Sequence, residues 1–184
     1  AINHATRLAE TTKGEVILLN VVSDKKDVAS ANKKMLEEEK IAKSFFPDCP
    51  VRSIVRIGNI FDDIGQAATE IGANIIIMGT HGASGWQKVV GSHALKVITN
   101  SSAPFIVVQK QIMRPSGYDH IVVPLDLHNQ TKQKLELVGR MALYFNSNVH
   151  LISPFESDEF LLNKLKANIA WAKKYLASEG VKSN

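Results

Sequence analysis

The residues best suited to chemistry in this sequence are small ones that lie between a predicted strand and a predicted helix. Glycines occupy positions 79, 82 and 91, and Gly91 is followed by Ser92. Glycine lets backbone N–H groups approach a phosphate closely, and the N-terminus of a helix starting at Ser92 favours an anion. The Ser92 hydroxyl adds a further hydrogen-bond donor. The sequence from Gly79 to Ser92 therefore predicts a phosphate-binding loop.

Other side chains near this loop do not indicate catalysis. His81 has no recognisable Ser or Cys nucleophile and no orienting carboxylate around it. Lys88 is not part of a Gly-x-x-x-x-Gly-Lys-Ser/Thr motif. We therefore expect neither enzyme activity nor a metal site, and we assign His81 and the preceding strand residue Met78 to the lining of a ligand site.

The elements that position the loop alternate between helix and strand. Apolar runs typical of strands buried on both faces alternate with segments of helical periodicity. Strands are predicted at residues 15–22, 51–57, 75–78, 104–108 and 120–125, and helices around 5–13, 30–45, 59–71, 92–99 and 157–179. Asn59 is predicted to cap a helix, and Gly14, Gly72 and Gly180 to end helices. This order predicts an α/β fold with a parallel, doubly wound sheet and helices on both faces.

Composition excludes several classes of protein. The 184 residues carry a net charge of +4, but lysines alternate with acids in residues 33–40, which favours solvated helix faces over a nucleic-acid site. The longest aliphatic runs, such as 75–78, are far shorter than the ~20 residues of a membrane span. The first residues lack the features of a secretory signal. The sequence has a single cysteine, Cys49, which indicates a reduced thiol. We therefore expect a cytoplasmic protein.

One pattern occurs twice in the chain. Residues 7–19 align without gaps with residues 140–152, an offset of 133 positions. The same offset places the counterpart of strand 120–125 before residue 1. We therefore predict a first repeat over residues 1–112 that lacks its first strand. Residues 113–184 are predicted to be the N-terminal half of a second repeat, so that the chain is a fragment of a tandem-repeat protein.

The loop and the order of elements resemble the universal stress protein family. Its ATP-binding members carry Gly, two residues, Gly, nine residues and then Gly-Ser or Gly-Thr after their fourth strand. Gly79, Gly82, Gly91 and Ser92 match those positions, although eight residues separate Gly82 from Gly91. The resemblance covers about the first 110 residues. It implies a Rossmann-like α/β fold.

The resemblance also implies a ligand and a function. ATP, with Mg²⁺, is the implied cofactor, and Val21 and Val22 at the end of the second strand are the implied adenine contacts. An acidic residue follows the first strand in the family, and its match here is Asp126, in the second copy. The implied function is that of an ATP-binding regulatory protein of the stress response. The alternative is a member that binds no nucleotide and acts as a dimerisation or protein-interaction module.

The missing first strand leads to expectations about pairing. Because that strand lies at the centre of the family's sheet, we expect strand 120–125 to fill its place, which brings Asp126 near Gly79. Strand exchange in a homodimer is the alternative. Strand 104–108, expected at the edge of the sheet, is a second candidate for a dimer surface. Nucleic acid and membranes are not expected partners.

Overall fold

The computed structural model describes residues 1–79, 98, 101–109, 111–127 and 131–184. It divides into two compact units, Ala1–Met113 and Arg114–Asn184. The boundary predicted from the sequence lies one residue earlier. The interpretation of these units as two repeats stays a prediction.

The first unit alternates helices with parallel strands. Its elements are α1 (Ile2–Thr12), β1 (Val16–Val22), a short 3-10 helix (Lys25–Asp27), α2 (Val28–Phe45), β2 (Val51–Ile57), α3 (Ile60–Glu70), β3 (Ile76–Gly79) and β4 (Phe105–Val108). Strand β1 pairs in parallel with β2, and β3 pairs in parallel with β4. The predicted α/β class is confirmed. Within the described ranges, however, these strands form two separate pairs rather than one continuous sheet.

The core of the first unit follows from the alternation of side chains along β1. Val16 and Leu18 lie on one face of the strand and are buried. They belong to a cluster with Ala9 of α1, Met35 of α2 and the Cys49 side chain. Burial raises the pKa of the Cys49 thiol, and the negative charge of Glu10 raises it further. The thiol is therefore a packing group of this core.

Helix α1 ends in a way that the sequence predicted only in part. The N–H of Gly14 donates to the carbonyl oxygen of Ala9 at 2.9 Å, a bond typical of helix ends. The residue in the left-handed conformation is not the glycine but Lys13, with φ of 57°. The prediction that the helix ends before Gly14 was correct, and the left-handed conformation of Lys13 was not predicted.

Asn59 caps α3 as predicted. Its Oδ1 accepts hydrogen bonds from the N–H groups of Phe61 at 2.9 Å and Asp62 at 3.1 Å. Because Asn59→Ala removes this acceptor, it is expected to lower the free energy of unfolding by about 1 kcal/mol. Asn59→Ser keeps an acceptor without placing a negative charge beside Asp62, and it is expected to lose less than half as much. Urea unfolding followed by circular dichroism measures both, and equal losses would contradict the capping role.

The second unit is a shorter arrangement of the same kind. It contains β5 (His120–Pro124), α4 (Thr131–Phe145), β6 (Asn148–Ile152) and α5 (Glu159–Ser178), and β5 pairs in parallel with β6. Asp158 caps α5 by accepting from the N–H of Leu161 at 2.9 Å, and Gly180 follows the helix with φ of 77°. The core residues are Val123, Leu125, Leu135, Ala142, Val149, Ala172, Leu176 and Val181.

Strand β5 does not have the role that the sequence led us to expect. The carbonyl oxygen of Asp119 accepts from the N–H of Asn148 at 2.9 Å, and the N–H of Leu125 donates to Ile152 at 2.8 Å. The strand therefore pairs with β6 in a two-stranded sheet. Its side chains Val123 and Leu125 are buried in the core of its own unit. The expectation that this strand completes the first sheet of the same chain was wrong.

Candidate functional site

Strand β3 places Met78 and Gly79 at its carboxyl end. Met78 lies opposite Val107 of β4 and Gly79 opposite Val108, and both Met78 and Gly79 are half-buried. The strand ends one residue later than predicted, so Gly79 is its last residue. The carboxyl ends of parallel strands are where α/β sheets bind their ligands. The glycine-rich sequence therefore starts at the edge that such a ligand site requires.

The remaining predicted loop residues lie outside the part of the chain that the structure describes. These are His81, Gly82, Gly91 and Ser92. Their assignment to a phosphate-binding loop stays a prediction. Of the predicted site residues in the first unit, the structure describes Met78 and Gly79 on β3 and Val21 and Val22 on β1.

Strand β1 ends with Val21 and Val22, whose backbone N–H and C=O groups face opposite edges of the strand. The carbonyl oxygen of Val22 accepts a hydrogen bond from the N–H of Gly58 at 2.8 Å, so it faces β2 and the turn that follows it. Because alternate residues of a parallel strand face opposite edges, the N–H and C=O groups of Val21 face away from β2. Both side chains are half-buried. The carbonyl oxygen of Val22 is thus already bonded within the first unit, and the assignment of Val21 and Val22 to an adenine stays a prediction.

The turn after β2 lies beside the same end of β1. The N-terminus of α3, which follows this turn, already has acceptors and carboxylates beside it. A Cβ atom on Gly58 would lie 2.0 Å from Oδ2 of Asp63, which shows how closely that carboxylate covers the glycine. The same carboxylate accepts from the N–H of Asn59 at 2.8 Å. Two carboxylates, Asp62 and Asp63, stand in the first turn of α3 and neutralise its positive end. This helix end is thus unsuited to a phosphate.

Sequence reasoning found the cap but missed the close packing of Gly58. The detectable signal was a glycine directly before the capping Asn59, with an aspartate four positions after the cap.

The nearby cation Arg56 forms an ion pair. Arg56 Nη2 donates to both carboxylate oxygens of Glu70, at 2.8 and 2.7 Å, and this pairing raises the pKa of Arg56. Arg56 is therefore a structural ion pair and a poor candidate for a phosphate ligand.

Asp126 lies in the second unit, two residues beyond the end of β5. Its carboxylate Oδ2 is 3.9 Å from Nζ of Lys134, and its main-chain oxygen accepts from Nδ2 of Asn168 at 3.2 Å. The residue thus follows β5, and its carboxylate is close to a lysine of its own unit. Its contact with an adenine stays a prediction.

The described ranges contain no group of three or more His, Cys, Asp or Glu side chains that could hold a metal ion. No helix within them has the length and apolar character needed to cross a bilayer.

Comparison with protein families gives a clear match. The model of the universal stress protein family matches residues 1–109, more than half of the chain. The chain belongs to the universal stress protein family. The matched range begins directly before α1 and ends directly after β4, so it contains every described strand of the first unit as well as the glycine-rich sequence.

Individual universal stress proteins agree with this. Universal stress protein G of Shigella flexneri is 30% identical over 59 residues, which are 32% of this chain and 42% of that protein. The match thus spans less than half of that relative. A universal stress protein from Archaeoglobus fulgidus DSM 4304 has a TM-score of 0.72 at 16% identity and covers 100% of this chain and 69% of its own. At this identity the likeness shows the α/β fold alone.

One further structure was solved with a ligand. A universal stress protein from Archaeoglobus fulgidus in complex with dAMP has a TM-score of 0.48 and 18% identity to this chain. The alignment covers 58% of this chain and 82% of that protein. The dAMP is bound to that protein.

Proposed function

We propose that this universal stress protein binds an adenine nucleotide, ATP with Mg²⁺, and acts as a regulatory protein of the stress response. One observation carries the proposal. The glycine pattern of the family's ATP-binding members begins at Gly79, and Gly79 is the last residue of β3. The sequence that is suited to phosphates therefore starts at the carboxyl end of a parallel strand, where nucleotides bind in α/β folds.

The surroundings of the strand ends favour this position over others in the first unit. The N-terminus of α3 is occupied by its own carboxylates, and Arg56 is paired with Glu70. The phosphates are therefore assigned to the backbone of Gly79, Gly82 and Gly91 and to Ser92. Adenine is assigned to Val21 and Val22, with Met78 and His81 as further lining residues. Mg²⁺ would be held by the phosphates, as is usual for this ion.

We propose binding without catalysis. The loop sequence has no identifiable nucleophile or orienting carboxylate around His81. The assigned contacts are backbone groups, one hydroxyl and apolar side chains, which hold a nucleotide but supply no general base. The buried thiol of Cys49 fits a reducing compartment, and we propose the cytoplasm.

Calorimetric titration with Mg-ATP tests this proposal. The unmodified chain is expected to bind in the micromolar range. The double variant Gly82→Val/Gly91→Val is expected to bind at least about tenfold more weakly, because added side chains keep phosphate oxygens from the backbone. Gly139→Ala is the matched control, since a Cβ atom there meets only Leu176 Cδ2, at 4.0 Å. No binding by the unmodified chain, or equal binding by the double variant, would contradict the proposal.

A second candidate function is a dimerisation module that binds no nucleotide, through the strand predicted at 104–108. The observation that favours it is an exposed apolar strand. Val107 of β4 is 44% exposed, and β4 pairs only with β3 among the described strands. Light scattering of the unmodified chain and of Val107→Lys would distinguish the candidates. A dimer lost in the variant, together with absent ATP binding, would favour the interaction module.

We also propose that the two units are successive repeats. Helices α1 and α4 are followed by the non-glycine residues Lys13 and Asn146, both left-handed with φ of 57° and 50° and 133 positions apart. The bond from Gly14 N–H to Ala9 at 2.9 Å has its counterpart 133 positions later, from Ser147 N–H to Ala142 at 2.9 Å. These two helix ends share conformation, hydrogen bonding and sequence offset, which supports a repeated structural unit.

A further inference from the structure

Two histidines of the second unit lie side by side on its sheet. Nδ1 of His120 on β5 is 2.9 Å from Nε2 of His150 on β6. The centroids of the two rings are 5.1 Å apart, and their planes are inclined by 44°. His120 is exposed and His150 is half-buried. The pair could not be predicted from the sequence because its members lie 30 positions apart.

The pairing of the two strands fixes where both rings lie. His120 lies opposite Asn148, two residues before His150, so the two histidines are diagonal neighbours across the strand pair. Ile121 and Val149 pack in the core of the unit. Because side chains alternate along a strand, the histidines share the opposite face of the sheet. Main-chain hydrogen bonds between strands, rather than a loop, therefore set the separation of the two ring nitrogens.

This separation matches two adjacent positions around a metal ion. With metal–nitrogen bonds of about 2.0–2.1 Å, two nitrogens 2.9 Å apart subtend an angle of about 90° at the metal. Tetrahedral coordination needs the nitrogens about 3.4 Å apart at the same bond length. A right angle belongs to square-planar or tetragonal coordination, which is typical of Cu²⁺ and Ni²⁺, and imidazole is a suitable ligand for both ions.

We propose that His120 and His150 form a binding site for Cu²⁺ or Ni²⁺, with Nδ1 of His120 and Nε2 of His150 as the two protein ligands. Water or an external ligand fills the remaining positions, and Cu²⁺ binds more tightly than Ni²⁺. In the neutral hydrogen-bonded pair, one of the two nitrogens carries a proton and the other accepts it. On metal binding this proton moves through solvent to the second nitrogen of the same ring. Both lone pairs then point at the metal, and no proton is released from the neutral pair.

Two charged side chains lie near the pair. A hydrogen bond from Ser116 keeps the pKa of Asp119 below its usual range, and Arg114 and His120 lower it further. Asp119 is therefore ionised at neutral pH, and its negative charge next to His120 favours a cation. Nη1 of Arg114 lies 3.4 Å from Oδ2 of Asp119 and offsets part of this charge. The affinity for a metal ion therefore comes mainly from the two imidazoles.

Titration with Cu²⁺ tests the site. Electron paramagnetic resonance of the unmodified chain with one equivalent of Cu²⁺ is expected to show coupling to two imidazole nitrogens. His120→Gln and His150→Gln are each expected to bind at least about tenfold more weakly in calorimetry, because a single imidazole cannot chelate. The double variant is expected to stay within about threefold of either single variant. Val122→Ala is the matched control, since Val122 lies opposite His150 and is 58% exposed, and it is expected to leave the affinity unchanged.

Amide NMR locates the bound ion. Cu²⁺ is paramagnetic, so substoichiometric amounts are expected to broaden first the amide signals of β5 and β6 around positions 120 and 150. The same spectra show whether the histidine variants keep their fold. Absence of saturable binding, unchanged affinity in both single variants, losses that add in the double variant, or broadening centred outside β5 and β6 would each overturn the proposal.

Discussion

Leu176→Ala is expected to lower the free energy of unfolding of the second unit by about 3 kcal/mol. Leu176 lies in α5 and is 0% exposed. It packs in one core cluster with Leu135 of α4 and Val149 of β6, so it joins both helices to the sheet. Truncation to alanine removes buried apolar surface and leaves a cavity that the surrounding elements fill only in part.

The fluorescence of Trp171 provides the measurement. The chain contains two tryptophans, and a Trp86→Phe background leaves Trp171 of α5 as the only reporter. Urea unfolding is compared with that of Leu143→Ala, since Leu143 lies in α4 and is 52% exposed. The control is expected to lose less than about 1 kcal/mol. Equal losses in the two variants would contradict the assignment of Leu176 to the core.

Gly117→Ala is expected to destabilise the same unit by about 2–4 kcal/mol. Gly117 has φ of 87°, a conformation that residues with a side chain rarely adopt. A Cβ atom there would lie 2.1 Å from Cδ1 of Phe145. The Phe145 ring is held by an edge-to-face contact with Tyr118, with ring centroids 5.3 Å apart, so moving it loses a second interaction.

Gly180→Ala separates the two causes of this loss. Gly180 also has a positive φ, of 77°, but a Cβ atom there would meet nothing within 4 Å. The control therefore carries only the conformational strain, about 1 kcal/mol, whereas Gly117→Ala adds the clash. Urea unfolding with the same fluorescence reporter measures both. Losses of the same size would show that the contact with Phe145 contributes nothing.

Much of the fold could be predicted from the sequence because its signals are local. Strand β2 has the predicted bounds, 51–57, because the run is rich in β-branched residues and a glycine follows it. Asn59 and Gly72 were predicted correctly because capping and positive φ depend on the residue and its nearest neighbours. Lys13 shows the limit of such rules. A lysine adopts the left-handed conformation there because the hydrogen bonds of the helix end require it.

Strand pairing was harder to predict because it depends on contacts between distant segments. A strand was predicted at 120–125 and is found at His120–Pro124, but the strand that pairs with it was predicted wrongly. The deciding factor is the core of the second unit, which buries Val123 and Leu125 with Leu176. A run of apolar residues indicates that a strand is buried but does not specify which strand lies beside it.

For the candidate site, the sequence indicated where the loop begins. Glycine spacing indicated a loop starting at Gly79, and the structure places Gly79 at the end of β3. The different backbone roles of Val21 and Val22 were not predictable, because they depend on the pairing of β1 with β2 and on the bond from Gly58. Register fixes which edge each carbonyl faces, and the sequence alone does not report it.

The most direct test of nucleotide binding at these strand ends is a titration of the ¹⁵N-labelled chain with Mg-ATP, followed by amide NMR. The proposal predicts saturable shifts of the amides of Val21, Val22 and Gly79 and of the glycines at 82 and 91. The amides of α3, whose N-terminus is occupied by Asp62 and Asp63, are expected to shift much less. Unchanged spectra, or shifts confined to α3 or to the second unit, would contradict it.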